Sequence, residues 1–571
     1  MKLTHTMPGI SNKITGQFMK NIIDSTDMIF QKALKEHQSG NIQQAKSLYL
    51  DIIKKDLTYS DAYHLLGVIQ AQQSQIAQAI HNIGHAIKLS ECELYYNSLG
   101  AVYLKQGYIQ NALFNLNKAL KINDQYIDAY NNLGQTLLLA GECVDAVNCF
   151  RKVISLNSNV PQLYSNYLTC LNYLPSISHE TIYQAHVSFN KRFHSNQTIA
   201  KHQFTKKPKK KLRIGYVSPD FCRGSVAFFI EPVLRNHDAD AFEIFCYANT
   251  SQPDDITQRI KPHAKKWIET NQMNDDQMAD KIMQDKIDIL VDLCGHFSEN
   301  RLPVFTRKPA PIQMTYLGYP NTTGLSSIDY RLTDAIADPH NRDVYHSEKL
   351  VRLPAPFLCY QPVVSSPDLS TLPADTNGFV TLGSFNNLAK ITDNVIHVWA
   401  TILRQIKYAK LLLKARPFID PVTCAHFQNK FQQKGISQDR LIFKCYDDRI
   451  KTHLMAYNNI DLALDTFPYN GTTTTCDALW MGVPVISLCG SCHANRVGAT
   501  LLSSIGMKDF IAYSENEYIT KTIDICQNLQ LLKTIRRQLR SVMQQSTLMD
   551  AKRLTMNIES VYKSIWSAKE N

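Results

Sequence analysis

A repeat of about 34 residues in the first third of the chain constrains the fold more than any other feature. Three similar segments, AYHLLG, YYNSLG and AYNNLG, end at Gly67, Gly100 and Gly134, which lie 33 and 34 residues apart. A small residue recurs in step with them, at Ala45, Ala79, Ala112 and Ala146. Short polar turns lie between the glycine position and the alanine position of the repeat. A fixed period of this length predicts stacked helix–turn–helix units, because a single unit cannot bury its apolar face alone.

The four units resemble tetratricopeptide repeats, and they cover residues 27–158. We call this region the arm. Its glycines and alanines are small enough for neighbouring helices to approach closely. A compact helical bundle is the alternative, but such bundles seldom keep a 34-residue period. The resemblance implies an arm that binds polypeptide and performs no chemistry, and that can also support assembly of copies into oligomers.

From Leu212 onward, apolar strand-like segments alternate with helical ones. Four such segments precede a Pro- and Ser-rich stretch and five follow it: 212–218, 242–248, 287–293, 312–318, 379–385, 409–415, 440–445, 460–466 and 483–488. Fully apolar strands alternating with helices predict parallel sheets covered on both faces. Two such halves predict two Rossmann-like domains with a cleft between them. Neither half has a G-x-G-x-x-G or P-loop sequence, which disfavours dinucleotide oxidoreductases and P-loop NTPases.

The strongest local motif follows the segment IDLALDT. Gly471 is followed by four threonines, residues 472–475, and then by a helix-forming run. The free N–H groups of such a helix N-terminus, together with the hydroxyls, would form an anion site. The helix dipole contributes only about 0.3–1 kcal/mol per charge, so a lysine partner is expected. A threonine run can also be a simple helix cap, and the motif alone leaves both interpretations open.

The composition narrows the class of protein. The 571 residues are enough for two to four domains, and 61 basic against 50 acidic residues give a net charge of +11. Part of the excess lies in one run, whose members are Lys206, Lys207, Lys209, Lys210, Lys211 and Arg213. The run could be a nuclear address or a phosphate-binding patch, but a solvated linker before a buried strand is the plainer interpretation. No aromatic residues interleave with it, so nucleic-acid binding is not predicted.

The cysteines and the N-terminus bear on location. Fourteen cysteines lack the spacing of a disulfide framework, which favours a reducing compartment. Cys489 and Cys492 form the one C-x-x-C, but without a second pair of cysteines or histidines they do not predict a metal site. No apolar signal region or membrane-spanning stretch is visible. We therefore predict a protein without membrane attachment that acts in the cytoplasm or, after delivery, in the cytosol or nucleus of a host.

Six segments together resemble the O-GlcNAc transferase and SPINDLY family: LRIGYVSPDF, DILVDLCGH, KPAPIQMTYLGYPNTTG, DYRLTD, GFVTLGSFNNLAKIT and LDTFPYNGTTTTCDALWMGVP. That family joins tetratricopeptide repeats to a two-lobed GT-B catalytic region. The resemblance implies an α-solenoid followed by an α/β GT-B fold of two Rossmann-like domains. The expected order is N-terminal tail, arm, helical linker, first catalytic lobe, inter-lobe linker, nucleotide-sugar-binding lobe and C-terminal helix, at residues 1–26, 27–158, 159–205, 206–360, 361–377, 378–548 and 549–571.

The resemblance also implies roles for individual residues. Lys390 matches the lysine that meets the donor diphosphate, and Asn387 a neighbouring donor contact. Asp477 matches the carboxylate on the ribose, and His453 a histidine near the base. The remaining predicted donor-binding residues lie in the threonine motif, where Thr473 and Thr474 match the hydroxyls on the phosphates: Asn470, Gly471, Thr472, Thr473 and Thr474. No metal or other cofactor is implied, because a cation and a helix N-terminus can stabilise the departing nucleotide diphosphate.

Two positions depart from the family pattern. The family often has histidine where this chain has Gly224, and the animal transferases have tyrosine where this chain has Ala389. The first departure removes an active-site imidazole. His296, at the end of a predicted strand facing the cleft, could compensate in a catalytic or acceptor-site role.

The implied reaction is an inverting, single displacement of the sugar by a Ser or Thr hydroxyl of a protein held along the arm. Asn470 and Asp477 are closer to the enzymes that use UDP-GlcNAc, whereas GSFNNLAKIT is closer to the plant type that uses GDP-fucose. We expect UDP-GlcNAc as the donor, with GDP-fucose as the alternative. A catalytically weakened scaffold and a transferase of small acceptors are the other hypotheses.

Overall fold

A computed structural model describes residues 17–156, 159–194, 211–354, 356–362, 366–446 and 449–570 of the chain. The chain divides into two compact units, and the boundary lies between Leu137 and Leu138. Four of the basic-run residues, Lys206, Lys207, Lys209 and Lys210, lie outside the described residues. Arg213 of the same run is paired, with its Nε 3.2 Å from Glu243 Oε2.

The described part of the arm consists of helices joined by short turns. They are α1 (Gln17–Gln38), α2 (Ile42–Lys55), α3 (Ser60–Gln72), α4 (Ile76–Leu89), α5 (Glu93–Gln106), α6 (Ile109–Ile122), α7 (Ile127–Leu139) and α8 (Cys143–Ser155). A Cβ added at Gly67 would lie 2.6 Å from Ile83, so only glycine allows α3 to approach α4 this closely. The repeat prediction is therefore confirmed.

The turns that follow α1, α3, α5 and α7 share one backbone conformation. Gly40, Ser74, Gly107 and Gly141 occupy equivalent positions, with φ of 83°, 61°, 86° and 82°. This left-handed conformation is the usual way to end a helix, and glycine adopts it without steric cost.

The second unit contains two all-parallel sheets, as the alternation of strands and helices predicted. We call the seven-stranded sheet with its helices the first lobe and the six-stranded one the second lobe. The first sheet has the order β3-β2-β1-β4-β5-β6-β7. Its strands are β1 (Leu212–Ser218), β2 (Phe242–Ala248), β3 (Lys266–Glu269), β4 (Ile289–Asp292), β5 (Ile312–Thr315), β6 (Tyr330–Asp334) and β7 (Lys349–Leu353).

The second sheet has the order β10-β9-β8-β11-β12-β13. Its strands are β8 (Thr381–Ser384), β9 (Lys410–Lys414), β10 (Leu441–Lys444), β11 (Leu462–Leu464), β12 (Val485–Leu488) and β13 (Ile511–Ala512). The central strands of both sheets are buried on both faces, whereas the edge strands β3 and β10 are partly exposed. One continuous apolar core runs through the two lobes. This is the two-lobed fold that the resemblance implied.

Helices cover the two sheets. Along the chain, α9 (Pro161–Leu171) and α10 (His179–His194) follow the arm and precede the first strand. Those of the first lobe are α11 (Ser225–Asn236), α12 (Asp255–Ile260), α13 (Asp275–Gln284) and α14 (Leu302–Thr306). Those that follow are α15 (Pro373–Asn377), α16 (Asp393–Gln405), α17 (Pro421–Gln432), α18 (Ile450–Met455), α19 (Thr473–Trp480), α20 (Val497–Ser504), α21 (Glu515–Gln527), α22 (Leu529–Gln544) and α23 (Ala551–Glu570).

Helix α23 returns from the second lobe to the first. The Tyr562 hydroxyl lies 3.1 Å from that of Tyr216 in β1, and Glu559 Oε1 lies 2.9 Å from His237 Nδ1. The C-terminal helix is thus part of the first lobe's packing. No helix in the described ranges is long and apolar enough to cross a membrane.

Candidate active site

Most of the predicted donor-binding residues lie where the strand order of a sheet reverses. These points lie between β1 and β4 in the first sheet and between β8 and β11 in the second. Ligands of open parallel sheets bind outside the carboxyl ends of the strands at such points. The loop after β8 carries Lys390, and the loop after β11 leads through Gly471 into α19. The loop after β1 carries Gly224.

Lys390 lies directly beside the N-terminus of α19. Its Nζ donates a hydrogen bond of 2.7 Å to the carbonyl oxygen of Asn470, and it lies 4.0 Å from the ring centroid of Tyr469. Burial lowers the pKa of Lys390 to about 8, and the nearby Asp465 carboxyl opposes that shift. The ammonium is therefore largely charged at neutral pH but loses its proton more readily than a lysine in water.

Asp465 shapes the loop that precedes α19. Its carboxylate is buried and accepts hydrogen bonds from the Gly471 N–H at 2.6 Å and from the Ser487 hydroxyl at 2.6 Å. Burial raises the pKa of Asp465 to about 6. A Cβ at Gly471 would lie 2.5 Å from Thr474 Oγ1 and 2.9 Å from Asn386 Oδ1, so the loop has room only for glycine.

The threonines form the first turn of α19. Thr472 precedes the helix, and Thr473 and Thr474 are its first two residues, all three partly exposed. Thr474 Oγ1 donates to Asn386 Oδ1 at 2.8 Å. The side chain of the predicted Asn387 instead accepts a hydrogen bond of 3.1 Å from the Ala389 N–H, so it caps the Lys390 loop. The first N–H groups of α19 have no partner within the helix, which makes this end suited to an anion.

Asp477 and His453 are joined in one polar chain. Asp477 Oδ1 accepts a hydrogen bond of 2.8 Å from the Tyr360 hydroxyl, and its Oδ2 lies 3.4 Å from His453 Nε2. Lys414 Nζ lies 2.8 Å from His453 Nδ1. Because an ammonium can only donate, Nδ1 accepts and the ring proton sits on Nε2, facing Asp477. The two residues predicted for ribose and base thus lie side by side.

Asn470 contributes through its main chain rather than its side chain. The side chain is fully buried, and its Nδ2 donates to the Thr466 carbonyl at 2.8 Å. Its Oδ1 accepts from the Gly498 N–H at 3.3 Å. The amide therefore holds the loop together, and the carbonyl oxygen of the same residue positions Lys390.

His296 is buried, which differs from the expectation that it faces the cleft. Its Nε2 donates to the Thr323 carbonyl at 2.8 Å, so its Nδ1 accepts from the Ser165 hydroxyl at 2.9 Å. Burial lowers the pKa of His296 well below its usual value. With both nitrogens occupied, this imidazole joins the loop after β4 to α9. A residue at the end of a strand can point into the protein as readily as into a cleft, and sequence pattern does not distinguish the two.

Gly224 lies in the opening between the lobes. Its φ is 177°, an extended conformation that any residue adopts, and a Cβ there would meet only Cys222 O, at 3.8 Å. The next residue, Ser225, accepts a hydrogen bond of 2.8 Å from the Thr473 hydroxyl of the second lobe. The position of the missing histidine is therefore adjacent to the threonine motif.

Several residues of the site were not singled out from the sequence: Asp465, Asn386, Tyr469, Tyr360 and Lys414. Asp465 could have been found, because a polar residue directly after a buried strand is a common site position. Tyr360 could not, because it contacts Asp477 from 117 positions away in sequence. Among the described residues, no group of three His, Cys, Asp or Glu side chains is placed to hold a metal ion.

Family profiles and known proteins resemble this chain over most of its length. The profile of "Glycosyl transferase family 41" matches residues 181–362 and 359–558, and that of "Tetratricopeptide repeat" matches residues 94–126. A mutant of the Thermobaculum terrenum O-GlcNAc transferase has a similar solved structure, with a TM-score of 0.82 and 27% identity. The match covers 97% of this chain and 98% of that one.

Curated plant proteins are also similar. The "Probable UDP-N-acetylglucosamine--peptide N-acetylglucosaminyltransferase SPINDLY" of Solanum lycopersicum is 40% identical over 411 residues, covering 70% of this chain and 44% of the relative. The corresponding SEC protein of Arabidopsis thaliana is 33% identical over 373 residues, covering 63% and 37%. The chain thus spans less than half the length of these relatives. The two lobes, the threonine motif and a family profile that matches most of the chain lead to one conclusion: this chain belongs to glycosyl transferase family 41.

Proposed function

We propose that this chain is a protein O-glycosyltransferase that transfers GlcNAc from UDP-GlcNAc to Ser and Thr hydroxyls with inversion. The observation that carries the proposal is the convergence of the Lys390 ammonium and the α19 N-terminus. The Lys390 Nζ binds the carbonyl of Asn470, three positions before α19 begins at Thr473. A nucleotide diphosphate leaving group develops negative charge, and these two features place positive charge at one point.

The remaining contacts fit the other parts of a nucleotide-sugar. The hydroxyls of Thr473 and Thr474 would donate to phosphate oxygens, exchanging their present contacts with Ser225 and Asn386. Asp477 would accept from the ribose, and His453 would lie at the base. The acceptor hydroxyl would attack the sugar from the face opposite the diphosphate. The arm would bind the protein acceptor, since stacked helical repeats form extended binding surfaces.

Donor choice and metal independence can be tested together. The protein is incubated separately with UDP-GlcNAc and GDP-fucose, with and without EDTA, and free nucleotide is measured. We expect UDP release in both conditions, because Lys390 and α19 supply the positive charge. GDP release alone would support the fucosyl alternative, which the buried position of the Asn470 side chain leaves open. Loss of release on adding EDTA would contradict a metal-independent reaction.

Restoring a histidine at Gly224 should raise the transfer rate. The extended backbone and the open space beside Gly224 mean that Gly224→His adds no backbone strain. An imidazole there would face the threonine motif and could contact the sugar or the acceptor. The check is kcat for transfer together with the melting temperature, with Gly224→Ala as the matched control. A folded Gly224→His protein that is no faster than Gly224→Ala would show that this position does not limit the reaction.

A further inference from the structure

The Lys390 side chain rests on an aromatic ring. Its Nζ lies 4.0 Å from the centroid of the Tyr469 ring, closer than any other lysine–aromatic contact seen among the described residues. The same Nζ donates to the Asn470 carbonyl at 2.7 Å. The ring and the carbonyl belong to consecutive residues, so one short stretch of chain fixes the ammonium from two directions.

The Tyr469 ring is supported by a second aromatic ring. Tyr173, which follows α9, packs against it with ring centroids 5.1 Å apart and a 42° angle between the planes. Tyr173 is buried together with Cys143 and Ala389, and Ala389 is the residue before Lys390. The aromatic pair and the Lys390 loop are therefore held by one apolar cluster.

We propose that Tyr469 is a positioning residue for Lys390, whose ring keeps the ammonium charged and directed at the leaving group, and that Tyr173 holds this ring in place. The proposal rests on the proposed function for the role of Lys390. A cation over the face of an aromatic ring is attracted by the ring quadrupole, and the attraction grows when the cation is desolvated. Burial disfavours the charged form of Lys390, and a ring under the ammonium offsets part of that effect.

Among the described residues, the groups that affect or contact Lys390 favour the charged ammonium or carry no charge. Asp465, after β11, favours the charged form of Lys390 through its carboxyl. The Asn470 carbonyl accepts from the ammonium and carries no charge. Tyr173 packs against the Tyr469 ring, and burial keeps its hydroxyl protonated by raising its pKa well above the usual value. A change confined to the Tyr469 ring therefore isolates the contribution of that ring.

The experiment replaces Tyr469 with phenylalanine and with phenylalanines of increasing fluorine content. Fluorine weakens the ring quadrupole with little change in shape, so burial of Lys390 stays nearly the same. The pKa of Lys390 is measured in the donor-free protein by NMR of ¹³Cε-labelled lysine, assigned with Lys390→Arg. We expect Tyr469→Phe to keep the wild-type pKa and the most fluorinated ring to lower it by about half a unit to one unit.

The same series is then assayed for nucleotide release against pH. The alkaline decline should move to lower pH in step with the pKa of Lys390. Phe114→Leu is the matched control, since it removes an exposed aromatic contact to Lys118 on the arm and should change neither value. Tyr173→Leu should lower the pKa of Lys390, and Tyr173→Phe should not.

A pKa of Lys390 that stays constant along the fluorinated series would overturn the proposal. Because this measurement needs no donor, it is independent of catalysis. A wild-type protein that releases nucleotide from neither donor would contradict the proposed function instead. A pKa that falls while the pH profile of an active enzyme stays fixed would also overturn the proposal, since the ring would then not act through Lys390 in the reaction.

Discussion

Replacing Lys390 with alanine is expected to lower the rate of sugar transfer by about 10²–10³ while the protein still folds. The substitution removes the cation that we place on the departing diphosphate. It should leave the core intact, because Lys390 is only partly buried and water can fill the space that its side chain leaves. The measurement is kcat for nucleotide release, with the melting temperature as a test of folding.

Lys410→Ala is the matched control for this prediction. Lys410 also lies over an aromatic ring, with its Nζ 4.9 Å from the Phe379 centroid, but it is the first residue of β9 and so sits at the opposite end of the sheet from the site. The Lys410→Ala protein should release nucleotide from the donor at the normal rate. Near-normal turnover by Lys390→Ala would remove Lys390 from the catalytic machinery, together with the inference drawn for Tyr469.

A shortened chain that begins at Leu138 should fold and turn over donor, whereas one that begins at Lys206 should not fold stably. The sequence predicts a helical linker at 159–205 and places the first catalytic lobe after it, at 206–360. In the structure, α9 and α10 are built into the first lobe by buried polar contacts. Ser165 contacts His296 at 2.9 Å, and His186 Nε2 lies 2.9 Å from the Tyr319 hydroxyl.

The physical reason is the cost of leaving buried polar groups without partners. Removing α9 and α10 would strip His296 and Tyr319 of hydrogen bonds, at about 1–3 kcal/mol for each group left unsatisfied. It would also remove Tyr173 from beneath Tyr469. Circular dichroism, thermal melting and nucleotide release distinguish the two chains. Equal stability and equal release from both would show that α8, α9 and α10 are dispensable for the donor site.

The contacts of Glu142 and its neighbour show where the shortened chain has to begin. Its carboxylate pairs with Lys430 at 2.6 Å, and contacts to His426 and Lys430 lower the pKa of Glu142 to about 2. The adjacent Cys143 lies 3.6 Å from the Ala389 carbonyl. The turn before α8 therefore contacts both α17 and the Lys390 loop, which is why the shortened chain must begin before residue 141.

The parts of the site that could be predicted are those encoded by neighbours in sequence. The threonine motif follows a strand and opens a helix within a few residues, so its position at the end of the sheet follows from the pattern. Lys390 is implied by the family resemblance of the segment GSFNNLAKIT, which includes the end of another strand. Both lie at the points where the strand order reverses.

The parts that could not be predicted depend on side-chain direction and on long-range packing. His296 and Asn470 stand at expected positions in the chain, but their side chains turn inward and hold loops together. Asn386, one residue before the predicted Asn387, is the one that meets Thr474. Tyr173 reaches Tyr469 from nearly 300 residues away, and no local pattern indicates such a contact.

The most direct test of the central claim is mass spectrometry of an acceptor protein after incubation with the chain and UDP-GlcNAc. Fragmentation that preserves the glycosidic bond locates the added sugar. The account predicts N-acetylhexosamine on Ser or Thr residues, present with the wild-type protein and lost with Lys390→Ala. UDP release without any modified Ser or Thr, or equal modification by Lys390→Ala, would contradict it.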